Sequence, residues 1–412
     1  MVVAEPTPAA AWTGALEAIA VRGPLLVADD PDLVAAELER LRPARVVVVG
    51  SPPRDVRFES ELVVVPPRAV EPPRAVLGSA GEPLWMVAAD PDPQHAAAWA
   101  VTWTGHSYVE VEDPGRIPGQ WLRLLQAAEP VVPLGFDATD LWWLEAIRAG
   151  NQLPGGGVWL FPGRRLVAFY GSPDTPSLGV LGEQGPAETL RRMQPLLEAY
   201  TADGSQVLPT FEIIATVASA RPTADGDYSA EVDLDTLRPW VDEAARVGAY
   251  VVLDLQPGRA PFLEQARRYE ELLSMPHVGL ALDPEWRLGP GEVHLRRVGS
   301  VDAEEVNGVA EWLAGLVRAH RLPQKLLVVH QFKESMIRDR DRLEIPPELA
   351  LVIQMDGQGP LGSKYATWRN ITGGRDPSWW WGWKNFLDED RPVASPDQVM
   401  ELDPTPVFVS YQ

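Results

Sequence analysis

Val278-Gly279-Leu280-Ala281-Leu282-Asp283-Pro284-Glu285-Trp286 alternates large and small side chains with a period of two. Val278, Leu280 and Leu282 share one parity; Gly279, Ala281, Asp283 and Glu285 share the other. In a parallel barrel strand one parity meets the surrounding helices and the other the interior. The large set is expected to meet helices, which turns Asp283 and Glu285 inward at the C-terminal end of the strand.

The same alternation recurs outward from this stretch. In Tyr250–Gln256, Val251, Leu253 and Leu255 take the outward parity, leaving Asp254 and Gln256 inward. Leu351, Ile353 and Met355 go outward, leaving Gln354 and Asp356 inward. Phe211 and Ile213 leave Glu212 inward, and His330 and Gln412 end two more strands. Strands are predicted at 166–170, 207–214, 250–255, 278–283, 326–330, 349–355 and 407–411, with one more in the Trp-rich stretch 378–386. Helices are predicted at 186–200, 234–247, 261–273 and 303–320. About 250 residues of strand–helix units is the size of a closed (β/α)8 TIM-like barrel, whose sites lie at the C-terminal ends of its strands; an open doubly wound sheet is the alternative.

Residues 1–163 read differently. Short continuous apolar strands (24–28, 45–50, 61–65, 84–88, 108–111, 131–134) alternate with helical stretches (32–41, 94–103, 120–128, 139–149), the pattern of a covered, mainly parallel sheet. Pro-rich linkers occupy 51–54 and 66–73, and a Gly-rich turn, 153–157, leads into the second part. The expected fold class is thus α/β: an N-terminal parallel-sheet module, 1–163, followed by a barrel, 164–412.

Charge and composition narrow the function. The 412 residues carry 36 basic and 58 acidic side chains, a net charge of −22, so a polyanionic partner such as nucleic acid finds no general basic face. An anionic membrane surface is disfavoured for the same reason, and no apolar run approaches the ~20 residues of a spanning helix. With no cysteine, thiolate chemistry, disulfides and cysteine-ligated metals are absent. Nothing in composition sets the oligomeric state.

Several strand ends with inward acids, one His and no HExxH suit acid–base work on a neutral polyol. Glycoside hydrolysis needs two carboxyl groups, ~5–5.5 Å apart for retention and ~6.5–9.5 Å for inversion, and no cofactor. Polar residues also end strands merely because strands end in water; the repeated parity argues against that account for the set. Glu285 is the expected acid and Asp283 its support, with Asp254, Glu212 or Asp356 as the second carboxylate. Trp379, Trp380, Trp381 and Trp383, beside Lys384, and Trp286 after Glu285 offer indole faces for sugar rings. His330, Gln354 and Gln412 complete the expected substrate contacts. The same indoles could instead plug a barrel end or pack between elements.

Asp283-Pro284-Glu285 resembles the Asp-x-Glu at a strand end of barrel glycosidases, notably muramidases and chitinase-like enzymes. That resemblance implies Glu285 as general acid supported by Asp283. Gly279 and Ala281 stand where the fuller chitinase-type motif has further acids, which points away from substrate-assisted chemistry. Gly23-Pro24-Leu25-Leu26-Val27-Ala28-Asp29, followed by Leu38-Glu39-Arg40-Leu41-Arg42-Pro43-Ala44-Arg45 and Val46–Gly50, resembles the cell wall-binding repeat 2 family over residues 15–52. Looser copies begin at Glu82 and near Leu144. The resemblance implies a wall-anchoring α/β module, a polysaccharide or cell-wall glycan partner, and a secreted or surface location, although Met1–Pro8 shows no signal-like pattern.

Other motifs carry less. Gly357-x-Gly359-x-x-Gly362 contains Pro360 and is followed by no clear helical pattern, a weak nucleotide signal. Asp225-Gly226-Asp227 with Glu231 lacks calcium-loop spacing, and no metal ligand set is assigned. The leading expectation is a surface glycoside hydrolase. The alternatives are a non-catalytic carbohydrate-binding or structural barrel protein, and a metal-dependent hydrolase using the acidic ring and His330.

Overall fold

Eight parallel strands close on themselves in the second part of this computed structural model. The described residues are 1–28, 30–71, 74–78, 82–88, 95–112, 117, 119–136, 141–294, 296–374 and 376–412, less the side chains of 103 and 119–121. Asp29, residues 72–73 of the second linker and the predicted helix starts at Gln94 and Thr139 lie outside them. The chain divides into two compact units, Met1–Leu141 and Trp142–Gln412.

In the first unit, β1 (Val2–Ala4) is central to a parallel sheet with β2 (Leu25–Val27), β3 (Arg45–Val49) and β4 (Glu61–Val65), in the order β2-β1-β3-β4. A second sheet, of β5 (Ala75–Val76), β6 (Leu84–Ala88), β7 (Ser107–Val111) and β8 (Val131–Leu134), has the order β5-β7-β6-β8, with β5 antiparallel. Helix α1 (Pro8–Val21), capped by Thr7, buries Ala11, Trp12 and Ala15. Trp12 meets Trp99 of α3 (His95–Ala100), ring centroids 5.5 Å apart. The sequence reading missed β1 and α1. Val2–Ala4 is too short to show a period, yet it is fully buried between β2 and β3. Helix α2 (Pro31–Leu41) starts at an Asp30 cap and ends at Arg42 in the left-handed region.

In the second unit, α5 (Trp142–Ala149) precedes the barrel, which follows α4 (Gly119–Ala127) of the first unit in chain order. The barrel strands are β9 (Arg164–Gly171), β10 (Gln206–Ala218), β12 (Tyr250–Leu255), β13 (Val278–Leu282), β15 (Lys325–Gln331), β17 (Leu349–Met355), β18 (Trp380–Asn385) and β19 (Phe408–Tyr411). Each pairs parallel with the next, and β19 and β10 both pair with β9, closing the ring. The short β11 (Ser229–Glu231) extends β10 antiparallel, and β14 (Val301–Asp302) pairs with β16 (Ile337–Arg338). Helices α6 (Pro186–Ala199), α7 (Leu234–Val247), α8 (Phe262–Arg268), α9 (Glu270–Leu273), α10 (Ala303–His320), α11 (Leu361–Thr372) and α12 (Pro396–Met400) alternate with the strands. Helix α11 overturns the expectation that no helix follows Gly359: with Pro360 as N-cap, Leu361 and Gly362 open it. Proline is well tolerated where the first N–H needs no intrahelical partner.

The barrel interior is stacked in two zones. At the N-terminal end Leu166, Leu208, Tyr250, Leu326, Ala350 and Phe408 form one apolar cluster with Val252, Ala281, Val328 and Val352. Leu153, Leu160 and Phe161, from the segment before β9, join that cluster and plug this end. Gly279 belongs to the same zone. A Cβ there would stand 2.8 Å from Leu326 O, 3.0 Å from Leu326 Cβ and 3.1 Å from Tyr250 Cε1, so the absent side chain makes room for the neighbouring strand and for the Tyr250 ring. Tyr250 in turn accepts a hydrogen bond from Leu326 N at 3.2 Å.

Candidate active site

The second zone begins one inward position further along each strand. Tyr170, Glu212, Asp254, Asp283, His330, Gln354, Lys384 and Ser410 continue the inward parity of the eight strands, and all are buried. A ring of polar groups above an apolar floor is possible only if its members satisfy one another.

They do so in part, gathered around His330. Its Nε2 lies 3.1 Å from Glu212 Oε1 and its Nδ1 3.0 Å from Asp356 Oδ2, with Asp283 Oδ2 at 3.8 Å. Burial alone would push this imidazole down, but Asp254, Asp356 and Asp283 overcome it and hold His330 well above its ordinary value. Both ring nitrogens thus face carboxyl groups, which favours the charged imidazole. Lys384 Nζ lies 3.2 Å from Asp356 Oδ1. Burial opposes its charge, yet Asp356, Glu212, Asp254 and Asp283 keep Lys384 raised. Tyr170 donates to Asp254 Oδ2 at 2.7 Å and accepts from Gln256 Nε2 at 3.3 Å, while Gln354 Nε2 donates to Ser410 at 2.6 Å.

The carboxyl groups separate into two kinds. Burial pushes Glu285 up to about 9, reinforced by the charges of Asp283 and Asp356. Burial also raises Asp254, to about 7, and raises Asp283 against the pull of His330. Asp356 goes the other way: burial disfavours its charge, but Lys384 and His330 win and hold it below the usual carboxylate range. Asp283, Glu285 and Asp356 each offer an oxygen within 4.8 Å of the others. None of the carboxyls of the ring is paired with an arginine among the described residues.

A cavity of about 450 Å³ opens onto this cluster. Asp283, Glu285, Trp286, Asp356, Lys384 and Gln412, all expected from the sequence, line it. Glu212, Asp254, His330 and Gln354 lie behind that lining, fully buried. Glu212 Oε2, Asp254 Oδ1, Asp283 Oδ1, His330 Nδ1, Gln354 Oε1 and Asp356 Oδ1 are buried without a well-aligned hydrogen bond among the described residues.

The tryptophan run is placed differently from the expectation that it lines the substrate site. Trp380 shares the inward parity with Gly382 and Lys384 but sits at the opposite end of β18, where its ring meets Phe161 at 5.1 Å. Trp381 and Trp383 have the outward parity and pack on Trp368 of α11, at 6.3 and 5.7 Å. Trp379 is buried beside Arg340. The cavity's aromatic faces are Tyr170, Trp286, Phe332 and Phe386. The sequence reading omitted Tyr170, Ser410, Phe332 and Phe386. Extending the parity of Leu166 and Ala168 by one step reaches Tyr170, and that of Phe408 reaches Ser410. Phe332 and Phe386 lie just past strand ends, where alternation carries no signal.

Asp254, Asp283 and His330 also have metal-ligand spacing, as do Asp225, Asp227 and Glu231 around the start of β11. In the first group both ring nitrogens of His330 already face carboxyls, Glu212 and Asp356. Asp283, Glu285 and Asp356 form an oxygen-only set at the cavity.

No protein-family model matches the chain, and no curated protein matches it. Among solved structures the chain is similar to a 7,8-dihydropteroate synthase from Vibrio fischeri ES114, at 12% identity over 60% of this chain and 87% of that one, TM-score 0.29. It is also similar to a D-allulose 3-epimerase from Methylomonas sp., at 12% identity over 61% and 85%, TM-score 0.30. At these scores neither likeness bears on function, and the barrel rests on its strand pairing. Among the described residues no helix is long and apolar enough to cross a membrane.

Proposed function

We propose that the barrel is a glycoside hydrolase working by carboxylate acid–base catalysis, with Glu285 as general acid and Asp356 as its ionised partner. The observation that carries this reading is the divergence of two neighbouring carboxyls: Glu285 is raised to about 9 while Asp356 is held down by Lys384 and His330. Two titratable groups pushed apart in this way supply an acid and a base at the same pH. Glu285 gives its proton to the leaving glycosidic oxygen as the C–O bond breaks. One oxygen of Asp356 lies within 4.8 Å of one of Glu285, a closeness that suits attack on the anomeric carbon and retention better than activation of an intervening water. Asp283, between them, receives the His330 charge and supports the protonated form of Glu285 through its own. The raised residue is held by burial, the lowered one by cations, so each survives loss of the other.

A non-catalytic sugar-binding barrel would need none of this polarity in opposed protonation states. The N-terminal unit, by its resemblance to the cell wall-binding repeat, supports a wall glycan as substrate and a surface or secreted location. The test is a panel of neutral and wall-derived glycans assayed for new reducing ends with wild-type protein, Glu285→Gln and Asp356→Gly. Turnover by wild type alone, with azide restoring Asp356→Gly and yielding a glycosyl azide, supports the reading. Equal turnover by Glu285→Gln refutes it.

A further inference from the structure

A second cavity, of about 260 Å³, shares Glu285 and Trp286 with the main one and is otherwise lined by Arg296, Arg297 and Val298. Glu285 thus forms the wall between two compartments. One side holds Asp283, Asp356 and Glu389 with Lys333 and Lys384; the other is lined by two arginines, in a chain whose net charge is −22.

The backbone that carries the arginines is held beside the acid. Gly299 N donates to Glu285 O at 2.7 Å, and a Cβ at Gly299 would collide with the carbonyl oxygens of Pro284, Glu285 and Arg287. Only glycine lets the returning loop lie this close. The His294 ring stands against Trp286, centroids 5.3 Å apart, and His294 Nε2 lies 3.2 Å from Tyr228 O. Arg297 is paired with Glu292, whereas exposed Arg296 has no ion pair among the described residues.

We infer that the substrate is a glycan with an uncharged sugar in the main cavity and, across the scissile bond, a sugar bearing an anionic substituent that Arg296 and Arg297 recognise. This rests on the hydrolase reading, which puts the cleavage point at Glu285. In the main cavity the lysines Lys333 and Lys384 are offset by Asp283, Asp356 and Glu389, so an anionic ring gains no net attraction there. On the arginine side the planar forks match carboxylate or sulfate oxygens in pairs. The cationic patch also gives a polyanion a local attraction that the rest of the surface denies it.

The experiment uses matched oligosaccharide pairs: uronate-containing chains against the same chains with carboxyls reduced, and sulfated chains against desulfated ones. Binding to the full chain carrying Glu285→Gln, which blocks turnover, is measured by calorimetry at two salt concentrations. In at least one pair the charged member is expected to bind tenfold or more tighter, with the preference weakening in salt. Adding Arg296→Gln and Arg297→Gln is expected to abolish the preference and leave neutral binding unchanged, at an unchanged melting temperature. The uronate and sulfate arms separate the two sources of charge. No charge preference in any pair, or a preference that survives the double substitution, overturns the inference. Wild-type cleavage of neutral glycans without charge preference would sink this inference and leave the hydrolase reading intact. Arginine-dependent binding with no cleavage anywhere would do the reverse.

Discussion

The ammonium of Lys384 stands 3.2 Å from Asp356 Oδ1 and 3.4 Å from the centroid of the Tyr170 ring, fully inside the barrel. Its charge is what lets Asp356 stay ionised where burial opposes it. Lys384→Met should therefore raise the Asp356 pKa and move the acid limb of kcat/KM to higher pH, so that activity at pH 5 falls more than at pH 7. Asp356 is depressed in the folded state, so its stabilising contribution is present above the ordinary carboxylate pKa and is lost as pH falls through the folded value. Removing the lysine should cost about 3–5 kcal/mol, the usual penalty for stranding a buried partner, read from urea unfolding at pH 7.

Glu285→Gln keeps the shape and removes the transferable proton. On a natural glycan kcat should fall about 10²–10⁴-fold. On an aryl glycoside whose phenolate leaves unaided, the loss should be much smaller. A comparable loss on both substrates would mean that Glu285 is not the acid.

The pH profile should carry a basic limb near 9, set by Glu285 losing its proton, and that limb should vanish in Glu285→Gln. Stability gives a second readout. The folded pKa of Glu285 is raised from 4.5, so the folded state binds the proton longer than the unfolded state. The contribution is fully present below pH 4.5 and is lost as pH rises towards 9. Glu285→Gln, which cannot ionise, should thus be more stable than wild type at pH 7, by about 3 kcal/mol, and no more stable at pH 4. Paired melting curves at the two pH values check this.

Trp286 and Trp383 should behave oppositely. Trp286 lines the cavity, so Trp286→Ala should raise KM about tenfold with a small change in melting temperature. Trp383 is fully buried against Trp368, and Trp383→Ala should destabilise by about 3–5 kcal/mol without a specific KM effect in the protein that remains folded.

These contrasts show what alternation does and does not reveal. The barrel and most of its polar ring were legible because parity in a covered strand has one solution: large apolar side chains outward, small or polar ones inward. Asp254, Asp283, His330 and Gln354 follow directly. Parity also separates Trp380 and Lys384, inward, from Trp381 and Trp383, outward, but clustering of indoles in sequence is a stronger impression than their alternation and misdirects. Which carboxyl partners Glu285 was not legible, since Asp254, Glu212 and Asp356 look alike until Lys384, 28 residues along the chain from Asp356, is brought next to it. The arginine cavity was silent for the same reason: Gly299 carries no sign, in sequence, of the carbonyls that surround it.

The fit of Tyr250 into the space left by Gly279 constrains how this strand can change over generations. An acid at position 279, as the fuller chitinase-type motif would have it, cannot be reached by a single replacement, because its Cβ would stand 2.8 Å from the Leu326 backbone oxygen, 3.0 Å from Leu326 Cβ and 3.1 Å from the Tyr250 ring. A smaller residue at 250 would not be enough: it leaves a hole in the barrel floor and an unpaired Leu326 N–H, and the backbone oxygen of Leu326 still blocks the position. Any larger residue at 279 therefore requires the neighbouring strand itself to move, a step that neutral drift takes slowly. Residue 279 is accordingly held at glycine by its neighbour's backbone, and a directed-evolution library that randomised 250 and 279 alone would not free it.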